Sequence, residues 1–291
     1  MKNYALAVAS FVLFGLLPIY WSKLHQVDSY IVLFHRCFWT FVTLIPILIY
    51  KRDFRPFFSL FCKKWPYLIL SSVTVAINWC TYIYALNNNH IFEGSLGYFL
   101  APFSSVFLGF LFLREKLRQK QIVAIIVALL AIVYLMISKN IFPKYAIIIA
   151  FSFSFYGMLG RFIQTSAVNR MAFDGLLVSL LFVIFFQYPH ALWSGFHQYE
   201  SATQLLLILS GLVTIVPLSL YIIAVKRIPL SSVGILGFII PTLGFLLCIF
   251  YFHEVIDLQK ATVIGIVLIS MGLYIADLIA PQRKKAEESV P

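Results

Sequence analysis

The sequence predicts an all-α membrane protein: ten transmembrane helices arranged as two inverted five-helix repeats. Three observations carry this reading. The 291 residues are 62% hydrophobic and only 11% charged, whereas a soluble domain is about 45–50% apolar and about 25% charged. The apolar residues fall into runs long enough to cross a bilayer core of about 30 Å, which takes about 20 helical residues. Finally, the chain repeats itself. A shift of 139 places Tyr82 on Tyr221, Ala85 on Ala224, Pro102 on Pro241 and Glu115 on Glu254.

Ten runs qualify as spans: residues 4–21, 30–50, 66–86, 92–113, 120–138, 143–162, 173–194, 203–225, 231–252 and 259–280. The first follows Lys2 and continues through Pro18 to Trp21 without a small-residue cleavage site, so it reads as an uncleaved span and not a secretion signal. Only the polar break at 87–90 separates the third run from the fourth, which fits a tight helical hairpin. The first repeat covers 1–138 and the second 143–280, and a polar cytoplasmic tail occupies 281–291. Each repeat holds five spans. Five is odd, so the second repeat enters the membrane from the opposite face, as in the inverted repeats of secondary transporters.

Loop cations set the orientation. With the N-terminus inside, the cationic stretches at 51–64, 114–120, 161–170, 226–227 and 283–285 share the cytoplasmic face. The outer loops hold Lys23, Lys139, Lys144 and Lys260. The net charge of +11 therefore reflects membrane orientation, and no nucleic-acid motif accompanies it. The expected partners are the lipid bilayer, a small-molecule substrate and a coupling proton or ion.

Catalytic and metal motifs are missing from the sequence. Gly94-Ser95-Leu96-Gly97 lacks the residue between Gly and Ser that a nucleophile elbow needs. There is no P-loop and no H-E-x-x-H. Cys37, Cys62, Cys80 and Cys248 have no ligand spacing and read as small hydrophobes. His190 and His197 read as interfacial residues. No cofactor, metal or catalytic residue is expected.

The candidate site residues are polar groups inside apolar runs. Arg36 lies about two turns into the second span. An arginine at a helix centre costs about 2.5–3.5 kcal/mol, so it either snorkels to the headgroups or finds a partner. Depth favours a partner, and Glu93, opening the fourth span on the same face, is the expected one. Asn78, Trp79 and Tyr82 come from the outer half of the third span. Asn78 and Tyr82 are four apart and share a helix face. They face a substrate or hold helices together. Pro102 removes one backbone hydrogen bond and frees the carbonyl of Tyr98; Pro241 does the same for Gly237. Each proline is a candidate hinge with a substrate-facing carbonyl, or an ordinary kink. In the second half Tyr156, Gln187, Thr214 and Tyr221 complete the substrate-binding candidates. Gly94, Ala101, Ser105 and Gly109 form a small-residue stripe for helix packing. Glu115 and Glu254 sit at helix ends among cations and are expected to make surface pairs, and Asp277 is expected to face the tail cations.

Longer motifs carry a family resemblance. HRCFWTF at 35–41, INWCTYIYALNNNH at 77–90, EGSLGYFLAP at 93–102 and FLREK at 112–116 resemble the RarD proteins. These form part of the EamA branch of the drug/metabolite transporter superfamily. AFSFSFYG at 150–157, LVTIVPL at 212–218 and IPTLGFLL at 240–247 extend the likeness through the second half. The resemblance implies ten spans, a central cavity reached by alternating access, and a place in the bacterial cytoplasmic membrane. It describes permeases, some of them chloramphenicol-sensitivity proteins. Arg36, Asn78, Trp79, Glu93, Tyr98 and Pro102 match the family pattern. Ala101 stands where the family has Asn, Ser179 lies near its usual Glu, and Gly237-Phe238 replaces its Gln-Tyr. These departures make the cavity less polar. The expected activity is transport of a small amphipathic metabolite or drug-like molecule. The alternatives are a membrane-embedded enzyme using Glu93 with His35 or His90, and a non-transporting scaffold or sensor.

Overall fold

The computed structural model of the protein describes residues 2–50, 54–87, 90–138, 143–163, 165–185, 195–251 and 258–287. It is all-helical over these residues. In chain order come α1 (Lys2–Trp21), α2 (Ser29–Tyr50), α3 (Phe54–Asn87), α4 (Ile91–Leu113) and α5 (Gln119–Ser138). Then follow α6 (Lys144–Phe162), α7 (Ala167–Phe185), α8 (Ser201–Val225), α9 (Leu230–Leu236), α10 (Ile239–Phe250) and α11 (Leu258–Glu287). Short 3₁₀ turns at Ser22–Leu24 and Phe196–Gln198 precede α2 and α8. Among the described residues eight stretches are long and apolar enough to cross a membrane, and α11 adds an apolar core at Ala261–Asp277.

Two expected boundaries move and a third holds. The straight part of the third span begins beside Pro66 as expected; a helical stretch from Phe54 precedes it, and the break falls at Lys64, whose φ of −128° leaves the helical region. Pro66 follows that bend, in the first turn of the straight part, where its missing N–H costs little. The seventh span starts at Ala167 and not at 173, because Ser166 opens the helix. Its Oγ accepts the N–H of Asn169 and its carbonyl accepts that of Arg170. Arg170 is therefore a helix residue, fully buried, and not a loop cation. The ninth span is two helices. α9 ends at Gly237, and the Ile240 N–H bonds the Gly237 carbonyl in a tight three-residue turn before α10 begins. The carbonyl expected to face a substrate thus has a backbone partner. Pro102, the repeat mate of Pro241, sits inside a helix that stays continuous from Ile91 to Leu113.

Apolar surface is distributed as lipid requires. On α5 the large residues Val123, Ile126, Leu130, Tyr134 and Ile137 point outward. The small Ala124, Ala128 and Ala131 are buried in the cluster that includes Val263, Val267 and Tyr274 of α11. Small residues inside permit close helix approach, and large ones outside meet acyl chains. In water, so continuous an apolar face would aggregate.

The core is shared between the halves of the chain. α1 packs on α8 and α10, whereas α6 packs on α3 and α4; α2 packs on α7 and α8; α5 packs on α11. One buried cluster joins Ala7 and Phe11 of α1 with Tyr156 of α6, Tyr221 of α8 and Val233 of α9. Gly234 sets the α4–α9 crossing. A Cβ there would lie 2.5 Å from the Ser105 Cβ and 2.9 Å from the Pro102 carbonyl, so only glycine admits this approach. Ser105 thus belongs to helix packing, as its place in the small-residue stripe implies.

Candidate functional site

A narrow cleft opens where α4 crosses α9. Phe11, Tyr98, Ala101, Pro102, Ser105, Phe153, Tyr221, Val233, Gly234, Gly237 and Ile240 line it. Both prolines' neighbourhoods contribute, Pro102 directly and Pro241 through Gly237 and Ile240. The lining is aromatic and apolar, with Tyr98, Ser105 and Tyr221 as its polar side chains. Ser105 Oγ lies 2.9 Å from Ser154 Oγ, and the Ser154 hydroxyl donates to the Ala101 carbonyl at 3.0 Å. Tyr98 stands edge-on to Tyr82, ring centroids 5.2 Å apart, and Tyr221 leans on Phe153 at 5.1 Å.

Arg36 is 8% exposed. Its Nε donates to Thr214 Oγ1 at 2.9 Å, and Thr214 donates onward to the Ser210 carbonyl at 2.8 Å. The guanidinium stacks on Trp79, 3.9 Å from the ring centroid, and lies 5.2 Å from the Trp21 ring. Gly211 brings α8 close enough for the Thr214 contact. A Cβ there would meet the Trp39 backbone carbon at 2.5 Å. Three substrate-binding candidates, Arg36, Trp79 and Thr214, thus meet here, the last from the second half.

The expected Arg36–Glu93 ion pair is not formed. Glu93 Oε1 lies 3.1 Å from His90 Nδ1, one helical turn before it, and Oε2 accepts the Tyr145 N–H at 3.3 Å. Local partners reach Glu93 first: it opens α4, where the chain turns and α6 begins alongside. Asn78 is fully buried. Its Nδ2 donates to the Ile149 carbonyl at 2.8 Å and to Ser152 Oγ at 3.3 Å, tying α3 to α6. Gln187 lies outside the described residues, as do Glu254 and His190.

A second polar cluster went unnoticed in the sequence. Arg170 and Asp174, four apart on α7, are buried at 0% and 3% exposure. Asp174 Oδ1 accepts the Ser72 hydroxyl at 2.5 Å, and Oδ2 accepts the Tyr156 hydroxyl at 2.9 Å. Arg170 Nη2 donates to Ser71 Oγ at 2.9 Å and to the Tyr156 carbonyl at 2.6 Å, while Nε is 4.0 Å from Asp174. The guanidinium also stacks on Tyr156, whose ring lies parallel to that of Tyr221 in the cleft wall. The available signal was an Arg and an Asp at helical spacing. Starting the helix at Phe173 hid it by assigning Arg170 to a loop.

Glu115 also departs from expectation. Arg114, in the left-handed region at φ 53°, ends α4 and turns the chain back. Glu115 then caps α9. Its Oε1 accepts the Leu230 N–H at 2.6 Å, and Oε2 accepts the Ser231 N–H at 2.9 Å and hydroxyl at 2.7 Å. Arg161 lies 3.8 Å from Oε1. This is a helix N-terminus held by a carboxylate from the other half of the chain, not a surface pair. Asp277 pairs with Arg118 at 3.4 Å, and the side chains of the tail cations lie outside the described ones. Cys37 and Cys80 are free thiols. Among the described residues no group of three His, Cys, Asp or Glu could hold a metal ion.

Eight stretches long and apolar enough to cross a membrane, with an aromatic cleft where α4 crosses α9, give the chain the form of a multi-pass membrane protein. Comparison with known proteins gives the same class. The EamA-like transporter family matches residues 1–137 and again 143–276, and the chain belongs to it. It is 33% identical over 287 residues to "Protein RarD" of Salmonella typhi, with 98% of each chain covered. It is 34% identical over 282 residues to "Uncharacterized transporter YojE" of Bacillus subtilis, covering 94% of this chain and 93% of that one. "Chloramphenicol-sensitive protein RarD" of Pseudomonas aeruginosa is 26% identical, covering 87% and 86%. A solved crystal structure matches with a TM-score of 0.72 at 16% identity, covering 94% of this chain and 97% of its own, and so shares the fold. The protein is a multi-pass membrane transporter of the RarD type.

Proposed function

We propose that the protein is a ten-span permease of the bacterial cytoplasmic membrane with both termini inside, moving a small amphipathic solute by alternating access. The cleft carries the reading: it is built from both halves, at the crossing of α4 with the α9–α10 break. An apolar, aromatic wall with a few polar groups suits a solute with an apolar body and a polar handle. Tyr82, Tyr98, Tyr156 and Tyr221 form that wall or support it. Arg36, Asn78, Trp79, Glu93 and Thr214 supply polarity toward the outer mouth, and Gln187 remains an expected member. Pro102 and Pro241 mark the hinges.

Two features support units of 1–138 and 143–280 in inverted orientation. The family matches twice, once in each unit. The helix packing also survives exchange of the halves. α1 on α8 corresponds to α6 on α3, and α1 on α10 to α6 on α4. α2 on α8 corresponds to α7 on α3, and the α5–α11 and α2–α7 contacts map onto themselves. Rocking of one unit against the other would then open the cleft to each side in turn.

Flux of a solute panel into proteoliposomes tests the permease reading. Uptake without chemical change supports it, and absence of flux with folded protein removes it. Reporter fusions test topology separately: positions after Ser138 should read outside, and positions after Arg118 and at Lys284 inside. A periplasmic C-terminus would remove the ten-span arrangement and the inverted repeat with it.

A further inference from the structure

We propose that Arg36 receives the anionic group of the transported solute, so that the substrates are organic anions with an apolar body carrying a carboxylate or a phosphate monoester. The inference rests on the permease reading and adds the charge of its solute.

The argument begins with a missing countercharge. Arg36 is 8% exposed, and no carboxylate among the described residues pairs with it. Glu93 is held by His90 and the Tyr145 N–H, and Asp174 by Ser72 and Tyr156. A cation at this depth without an anion is costly, and such residues in membrane proteins mark substrate pathways. Snorkelling does not account for it. A snorkelling arginine keeps its head in headgroup water, whereas this guanidinium lies against Trp79 of α3 and Trp21 of α1 and is bonded to Thr214 of α8.

The contacts are also those of a receptor. Thr214 gives its own proton to Ser210, so its oxygen is committed to accepting from Arg36 Nε. Trp79 covers one guanidinium face at 3.9 Å. Those contacts fix the plane of the group. Nε is its only hydrogen-bonded nitrogen among the described residues, and its Nη atoms are not among the sealed, partnerless ones. The Nη edge therefore remains for a ligand. A planar fork of N–H donors matches two oxygens of a carboxylate or phosphate. It repels a cation and gives a neutral solute no comparable gain. Trp79, which the guanidinium covers, packs against the buried cluster that holds Phe11 and Tyr221 of the cleft wall. A bound anion on Arg36 would direct its apolar body along this aromatic wall. A lipid phosphate has the same oxygens. However, helices α1, α2, α3 and α8 surround the guanidinium, which favours a solute entering from within the bundle.

The test uses the full chain in nanodiscs of neutral phosphatidylcholine. The probes are hexanoate, phenylacetate and indole-3-acetate, each with its neutral amide, read by tryptophan emission and thermal shift. The acids should bind at least about tenfold more tightly than their amides, the worth of one charge-assisted hydrogen bond. Arg36→Gln should abolish the difference, and Arg36→Lys should retain part of it. Equal binding of acid and amide, discrimination that survives Arg36→Gln, or no millimolar binding of any acid would overturn the proposal. If Arg36→Gln does not fold, the wild-type protein suffices: phenylacetate binding should fall as pH drops through the acid's own pKa, while phenylacetamide binding stays level. A flat phenylacetate profile overturns the proposal. Exclusion of phenylacetate by phosphatidylglycerol nanodiscs would assign Arg36 to a headgroup and also overturn it. Acid-selective binding without flux would keep Arg36 as an anion-binding residue and remove the permease reading. Flux of neutral solutes that the acids do not inhibit would do the reverse.

Discussion

Asp174→Asn removes one charge from the buried α7 cluster while keeping its shape. Asp174 and Arg170 are 3% and 0% exposed, so water cannot replace the lost partner. Breaking a buried ion pair from one side costs about 3–5 kcal/mol, because the remaining charge is left uncompensated. The upper part of that range applies here, since Arg170 already has Nε and Nη1 buried without hydrogen-bond partners. Adding Arg170→Met removes the stranded cation. The introduced amide oxygen would still accept from the Ser72 or Tyr156 hydroxyl, so the double variant should lose only about 1–2 kcal/mol, comparable to one or two neutral hydrogen bonds. The double variant should therefore be about 2–4 kcal/mol more stable than Asp174→Asn alone. Unfolding of purified protein in mixed micelles, followed by tryptophan emission, measures both single variants and the double. Losses that add within about 0.5 kcal/mol would mean that the two charges do not sense each other, and the account of this cluster would fail.

Further outcomes are expected. Glu115→Ala should destabilise by about 2–4 kcal/mol, from the loss of charge-assisted bonds to the Leu230 and Ser231 N–H groups. Ser231→Ala, losing only its hydroxyl contact, should cost about 1 kcal/mol or less in the same unfolding assay. Arg36 and Glu93 have separate partners, so a double-mutant cycle on folded yield should be additive within about 0.5 kcal/mol; strong coupling would mean that they meet in another state. Lys226 follows the eighth helix and is half-buried. Burial first, then Arg170 and Arg227, push its pKa down to about 8. An unfolded lysine titrates near about 10.4, so between these values the unfolded chain holds a proton that the folded one has shed. Stability should therefore rise with pH across this window, and Lys226→Met should flatten the rise in a series of melts at fixed ionic strength.

The sequence by itself determined the class and the helices. Bilayer thickness imposes a length on each apolar run, and helix is the form that satisfies an unbroken backbone in lipid, so span positions follow from composition. The 139-residue shift of Tyr82, Pro102 and Glu115 was likewise legible, because a repeat preserves residue types. The burial of Arg36 deep in its span was legible, whereas its expected ionic partner was not the one the fold supplies. Two charges at similar depth can meet only if their helices are neighbours, and sequence gives depth without adjacency. The tertiary structure decided adjacency. It set α8 against α2, bringing Thr214 to Arg36 where Glu93 had been expected. It wound α7 back to Ala167, converting a loop cation into half of a buried pair with Asp174. It also turned Glu115 inward to cap a helix in the other half. Each of these depends on which helices cross and at what distance. Packing between non-local segments sets that distance, through close approaches such as Gly234 on Ser105, and no local pattern encodes it.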